Sequence, residues 1–216
     1  PATLYEAVVQ ASQDYPHDSF QVYVTHDINL PLHPRIKIIA VSDEINMHDD
    51  PIKAIKTKKN STLLAGIKQI KKRRIDAFIT AGNTGSLIAL SALYLPKISG
   101  IKRPALLATL PTLHKPVSVL DAGGTVQCKA PLLAHFAELG LKYHSKAFNI
   151  EKPRFALLNI GVESKKGSLE RREAYEKLKS LDLPGEFIGN IEGRKSLHSK
   201  KTIHIDRNKI HNPLGS

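Results

Sequence analysis

Between residues 75 and 95 the chain runs Ile-Asp-Ala-Phe-Ile-Thr, then Ala81-Gly82-Asn83-Thr84-Gly85-Ser86, then an apolar stretch of helical length. No other stretch constrains the fold as tightly. The short β-branched run over 75–80 reads as a buried parallel strand. The glycines that follow leave backbone uncovered by any Cβ, so a ligand can approach it closely. Thr84 or Ser86 can cap the next helix, whose first-turn N–H groups then face outward with the helix dipole favouring an anion. Taken alone, the hexapeptide fits a tight strand-to-helix turn that binds nothing equally well.

The rest of the chain alternates in the same way. Helices are predicted over 4–13, 61–74, 131–146 and 169–181, with a further helix start at Asp49-Asp50-Pro51, an acidic cap followed by proline. Strands are predicted over 20–25, 36–41, 104–110, 117–120, 155–160 and 187–190. This order of elements implies βαβ units and an α/β fold with a mostly parallel sheet. The length suits one such domain, placed over 1–195. Residues 196–216 are rich in His and Lys and poor in apolar side chains, and are predicted to form a poorly ordered basic tail. His198, His204 and His211 lack the spacing of a metal site.

Further strand ends carry glycine beside polar groups. Asp121-Ala122-Gly123-Gly124 follows one strand, and Gly161-Val162-Glu163 with Lys165, Lys166 and Gly167 follows another. Gly189-Asn190 leads into Glu192-Gly193-Arg194. Open α/β sheets bind ligands beyond the carboxyl ends of their strands, so this repetition favours a shared crevice over independent turns. Asp121 either accepts a hydrogen bond from a ligand or pins its glycine turn.

A formal charge of +12, from 32 Lys+Arg against 20 Asp+Glu, predicts attraction to phosphate, nucleic acid, an acidic protein or an anionic bilayer. Lys68, Lys71, Lys72, Arg73 and Arg74 crowd the end of the 61–74 helix. They form either a docking surface for an acidic partner or membrane, or a solvated face whose cations favour the helix C-terminus. Without aromatic residues among them, stacking of single-stranded nucleic acid is disfavoured. No run approaches a membrane span and no signal-peptide pattern opens the chain. The lone Cys128 excludes an internal disulfide framework and suits a reducing cytosol. It is either a nucleophile beside His114 or His135 or a buried thiol. No Walker lysine, dinucleotide fingerprint or paired metal-ligand motif is present, so no metal or organic cofactor is expected.

Read together, the motifs resemble those of PlsX, the bacterial phosphate acyltransferase family. The matching stretches are Met47-His48-Asp49-Asp50-Pro51, Lys58-Lys59-Asn60-Ser61-Thr62, Ala81-Gly82-Asn83-Thr84-Gly85-Ser86, Arg103-Pro104-Ala105, Leu110-Pro111-Thr112, Asp121-Ala122-Gly123, Cys128-Lys129, Leu157-Leu158-Asn159-Ile160-Gly161, Lys166-Gly167, Glu173-Ala174-Tyr175 and Phe187-Ile188-Gly189-Asn190-Ile191-Glu192-Gly193-Arg194. They stand in the family's order across residues 36–194.

The resemblance implies a three-layer α/β/α fold similar to isocitrate dehydrogenase and phosphotransacetylase. It also implies transfer of a fatty acyl group from acyl carrier protein to inorganic phosphate for phospholipid synthesis. The family is typically a cytoplasmic homodimer that associates peripherally with the membrane. Its acidic carrier protein gives the cations of 68–74 a candidate partner, and no nucleic acid is expected. Holding and aiming phosphate suits Gly82, Thr84, Gly85 and Ser86 with Lys166 or Lys129, while Asp121, Gly123 and Gly161 line the same site. The backbone around Gly123, or the amides of Asn83 and Asn159, would donate to the carbonyl oxygen as it becomes an oxyanion. Asn83, Lys129 and Asn159 are therefore the catalytic candidates. Two alternatives stay open: acyl transfer from coenzyme A thioesters, as in phosphotransacetylase, and a non-enzymatic basic binding protein. The family's opening Asp-Ala-Met-Gly-Gly-Asp strand end has no counterpart, its Asp-Gly-Phe strand end is replaced by residues 196–216, and Thr125, Gln127 and Val162 depart from its usual residues. These departures imply a truncated or degenerate member.

Overall fold

The alternation of runs resolves into helices and strands in the computed structural model, which describes residues 2–25, 31–97, 103–112, 116–125, 128–193 and 202–205. Their contacts divide the chain into two units, Pro1–Lys97 and Ile98–Ser216. This differs from the single domain over 1–195 expected from the sequence, since composition carries no mark of a boundary near residue 97.

In the first unit, helix α1 (Ala2–Asp14) is followed by parallel strands β1 (Phe20–Val24) and β2 (Ile36–Ala40), with Phe20 opposite Ile36 and Val24 opposite Ala40. The end of a helix leaves carbonyls without partners. The Arg35 guanidinium donates to those of Ser12 and, at 3.0 Å, Tyr15, tying the end of α1 to the start of β2. Helix α2 (Pro51–Thr57) opens on the predicted signal: the Asp50 carboxylate accepts the Lys53 N–H at 2.7 Å, and proline fills the first turn. Helix α3 (Thr62–Lys71) is capped by Ser61, and helix α4 is Thr84–Tyr94. Ile45, Ala54, Ile55, Leu63, Leu64, Ile67 and Leu90 form the core. The spacing of Leu63, Leu64 and Ile67 turns one face of α3 inward.

Residues 75–80 are not a strand. They are irregular, with a bend at Asp76 and no ladder, and Ile79 is 93% exposed. Only every second or third side chain, Ile75, Phe78 and Thr80, is partly covered. Phe78 packs on the core cluster, against α3 at Gly66. The apolar run therefore lacks the partner strands that burial on both faces requires, and Ile79 forgoes the ~2 kcal/mol that burial would contribute.

The second unit contains a five-stranded sheet in the order β3-β4-β7-β5-β6. Its strands are β3 (Ala108–Leu110), β4 (Val117–Leu120), β5 (Arg154–Asn159), β6 (Glu186–Glu192) and β7 (Thr202–Ile205). Every pairing is parallel except β3 with β4, as the α/β expectation requires. From β4 through β5 to β6 the chain steps across the sheet in one direction. Right-handed crossovers then place both connecting helices on one face. Accordingly α5 (Ala130–Phe148) and α6 (Leu169–Ser180) pack on each other and on Leu120, Phe155 and Leu157. Residues 155–159 of β5 are buried without interruption, the mark of a central parallel strand.

Two expectations are corrected here. The strand predicted over 104–110 shrinks to its last three residues. Pro104 has no N–H to give a ladder, and Leu106 spends its backbone elsewhere: its N–H goes to the Asp121 carboxylate at 2.9 Å and its carbonyl accepts from Ala122 N–H at 2.8 Å. The predicted tail contains β7, which lies between β4 and β5 and pairs with both. Thr-Ile-His-Ile alternates with a period of two, and without it the facing edges of β4 and β5 would leave backbone groups unpaired. The rest of 196–216 lies outside the described residues.

Candidate active site

In the first unit the candidate anion-binding junction is built around Asn83 rather than Thr84 or Ser86. Asn83 is the N-cap of α4: its side-chain oxygen accepts the Ser86 N–H at 2.9 Å. Its amide nitrogen donates to the carbonyls of Asn46, Met47 and Asp49 at 3.1, 3.3 and 3.2 Å. One 5%-exposed side chain thus clamps the Asn46–Asp49 loop onto the start of α4. The loop is braced again at Asp49, whose carboxylate accepts from Lys58 Nζ at 2.5 Å and from the Asn46 N–H at 2.8 Å. These contacts hold the Asp49 carboxyl below its ordinary range.

With Asn83 so occupied, its amide is not free to donate to an oxyanion. Among the described residues the N–H groups of Thr84 and Gly85 have no partner, and neither has the fully buried Ser86 hydroxyl. Gly85 is required by packing: a Cβ there would lie 2.7 Å from Pro51 Cγ, in α2. At Gly82 it would lie 3.2 Å from Thr80 Oγ1. Packing alone therefore accounts for Gly85, whereas at Gly82 a small shift of Thr80 would make room for a Cβ.

In the second unit Asn159, Gly161 and Lys166 come together in the loop after β5, and Asn190 joins them. Asn159 donates to the Lys166 carbonyl at 2.9 Å and accepts the Ile160 N–H at 2.9 Å. Asn190 donates to the Glu163 carbonyl at 2.8 Å. Gly167 has φ +88°, and a Cβ there would meet Asn159 Oδ1 at 2.5 Å. Two buried asparagines thus fix a loop that displays Lys165 and Lys166 to solvent. Asn159, like Asn83, is a loop clamp with its amide engaged. Asn190 was part of a recognised motif, but nothing in its spacing revealed this role.

At the end of β4, Asp121 pins its turn through Oδ1, which accepts the N–H groups of Leu106 and Gly124 at 2.9 and 3.0 Å. Gly123 has φ +119° with open space where a Cβ would stand. Lys129 is exposed at the N-cap of α5 and makes no cap bond with its side chain. Cys128 is buried in the core, which favours the bland reading of that thiol. His114 lies outside the described residues.

The cations Lys68, Lys71, Lys72, Arg73 and Arg74 are all exposed at the end of α3. Lys71 stands 5.7 Å over the Tyr94 ring, a cation–π distance. Arg73 adopts φ 54° just past the helix, where glycine is usual. Among the described residues no group of three or more His, Cys, Asp or Glu side chains could hold a metal. No helix among them is long and apolar enough to cross a membrane.

The fold is that of the phosphotransacylases. It resembles a branched-chain phosphotransacylase from Enterococcus faecalis V583 with a TM-score of 0.59, covering 95% of this chain and 75% of that one at 12% identity. The EutD phosphotransacetylase from Staphylococcus aureus gives 0.52, with 92% and 66% covered, also at 12% identity. More specifically, residues 3–206 match the family described as "Fatty acid synthesis protein", and the chain belongs to that family, the one its ordered motifs resemble. It is 47% identical over 160 residues to a phosphate acyltransferase of Caldanaerobacter subterraneus subsp. tengcongensis, covering 74% of this chain and 48% of the relative. A phosphate acyltransferase of Exiguobacterium sibiricum is 34% identical over 212 residues, covering 95% and 63%. The chain spans about half the length of the first of these.

Proposed function

We propose that the chain carries acyl transfer from a thioester to inorganic phosphate, with acyl carrier protein as the donor, yielding acyl phosphate for phospholipid synthesis. The observation that carries this reading is the clamped start of α4. A buried asparagine holds a helix N-terminus open, with the Thr84 and Gly85 N–H groups unpartnered, in a chain whose relatives are named phosphate acyltransferases. Aligned peptide dipoles and free N–H groups favour a phosphate there. A phosphate oxygen attacks the thioester carbonyl, the new C–O bond forms, the C–S bond breaks, and the thiolate leaves without strong acid assistance. In the second unit Lys129 and Lys166 are exposed and favour anions. The Asn83 and Asn159 amides position loops, so oxyanion donors are sought among backbone N–H groups.

The exposed cations of 68–74 suit the acidic carrier. Homodimer formation, a cytoplasmic location and peripheral membrane attachment belong to the same proposal, on the family resemblance. The fold's likeness to phosphotransacylases supports one second reading, coenzyme A thioesters as donors. One assay separates them: acyl-carrier-protein and coenzyme A thioesters are offered in turn, and phosphate-dependent acyl phosphate is measured. Turnover on the carrier thioester is expected. Turnover on coenzyme A alone supports the second reading, and none on either leaves a basic binding protein.

A further inference from the structure

Exposed apolar side chains are ordinary when scattered singly, but two large ones adjoin the first turn of α4. Met47 is 62% exposed and Ile52 54% exposed. The Met47 carbonyl accepts from Asn83 Nδ2 at 3.3 Å, and Ile52 follows Pro51, whose ring abuts Gly85. The Asn83 clamp and the contact of Asp49 with Lys58 brace the loop between them, so both side chains stand on a fixed backbone. Neither belongs to the core of the unit, which Ile45, Ala54, Ile55 and their neighbours fill. The same turn carries the Thr84 and Gly85 N–H groups and the buried Ser86 hydroxyl, none with a partner among the described residues. An anion-favouring turn and an exposed apolar pair thus share one junction. Inorganic phosphate alone would use only the first.

We infer that Met47 and Ile52 form a shelf beside the start of α4 that receives the hydrocarbon chain of the acyl group. The inference rests on the phosphate-dependent reading above and names the residues that select the acyl chain. An acyl phosphate joins an anionic head to an apolar tail, and the junction offers a counterpart to each. A tail laid on two apolar side chains leaves water along one side, and the gain grows with the area removed from water. Met47, the one methionine of the chain, is unbranched and adaptable, so its thioether follows tails of different shape. Ile52, β-branched and stiff at χ1, supplies the fixed part of the shelf. Because both side chains stand more than half in solvent, the shelf favours longer tails by area and sets no sharp limit on their length.

Alkyl phosphates carry the same head and tail in a stable form. The test is calorimetric binding of inorganic phosphate, butyl phosphate and octyl phosphate, the last below its micelle-forming concentration, to the full chain. Wild type is compared with Met47→Gln/Ile52→Gln and with each single variant. Full burial of a methylene is worth about fourfold in affinity and one-sided contact about twofold, so octyl phosphate should bind wild type roughly tenfold or more tighter than butyl phosphate. In the double variant the two should come within about twofold, and each single variant should lose about threefold on octyl phosphate. Inorganic phosphate should bind all four proteins alike, since neither side chain meets it. Equal wild-type affinity for butyl and octyl phosphate overturns the inference, and this arm needs no variant to fold. A folded double variant that keeps the full difference overturns it as well. The reading beneath it fails separately: octyl phosphate held through Met47 and Ile52 with no binding of inorganic phosphate would keep the shelf and remove the phosphate site.

Discussion

Replacing Asn83 with Ala should destabilise the first unit through two separable losses. The side chain caps α4 and donates to three loop carbonyls, of which that of Asn46 also accepts the Asp49 N–H. Removing a side-chain cap costs about 1 kcal/mol. The carbonyls of Asn46 and Met47 belong to exposed residues and that of Asp49 to a half-buried one, so water can replace the lost donor and the clamp adds about 1 kcal/mol; the sum is roughly 2 kcal/mol, against the ~5–15 kcal/mol that stabilises a typical domain. Asn83→Ser keeps a cap oxygen and loses only the clamp, so it should retain about 1 kcal/mol relative to Ala. Guanidinium unfolding followed by circular dichroism measures both variants. Hydrogen exchange at the Ser86 and Leu87 amides reports the junction itself. Acyl-phosphate formation, corrected for the folded fraction, should fall in both because the start of α4 loses its shape. If Asn83→Ala unfolded within 0.5 kcal/mol of wild type while losing activity outright, the clamp account would be wrong and Asn83 would act on the reactants directly.

Three further perturbations bear on other parts of the structure. Arg73→Gly relieves a side chain held at φ 54° and should stabilise the protein by about 1 kcal/mol, while weakening salt-dependent binding of the acidic carrier protein; stronger carrier binding would contradict the docking role of the cations at 68–74. Gly167→Ala forces a Cβ onto Asn159 Oδ1 at φ +88°, so it should cost about 1–3 kcal/mol; an unchanged melting temperature would show that the loop is not clamped. Burial lowers the pKa of His144, whose Nδ1 lies 2.9 Å from Ser118 Oγ. The unfolded chain therefore binds the proton more readily, and stability should fall as pH drops below the ordinary histidine range and through the lowered folded value. His144→Gln should flatten that slope, and an equal slope in the variant would assign it to other groups.

Much of the fold was legible because its signals are local. The Asp50-Pro51 start of α2, the helix predicted over 61–74 and the strands predicted over 117–120 and 155–160 each follow from short-range chemistry. The misreadings share one cause. Residues 75–80 have a strand's composition but no partner ladder, and residues 202–205 sit in a basic, low-apolar segment but have a ladder on each side. Pairing is a long-range fact that composition does not carry. The site divides in the same manner. Gly82 and Gly85 were read as openings for a ligand, yet a Cβ at Gly85 would run into Pro51 of α2. Asn83 and Asn159 were singled out as donors to a substrate, whereas both side chains are spent on loops. The partner carbonyls of Asn83 lie 34–37 residues away, beyond the reach of any spacing argument.

The central claim is that a phosphate is held at the N-terminus of α4, and amide NMR reads it most directly. On titration with inorganic phosphate, the Thr84 and Gly85 amide signals should shift together and saturate, with Ser86 moving less because its N–H already bonds to Asn83. Thr84 and Gly85 signals that stay fixed at phosphate concentrations supporting acyl-phosphate formation would contradict the account.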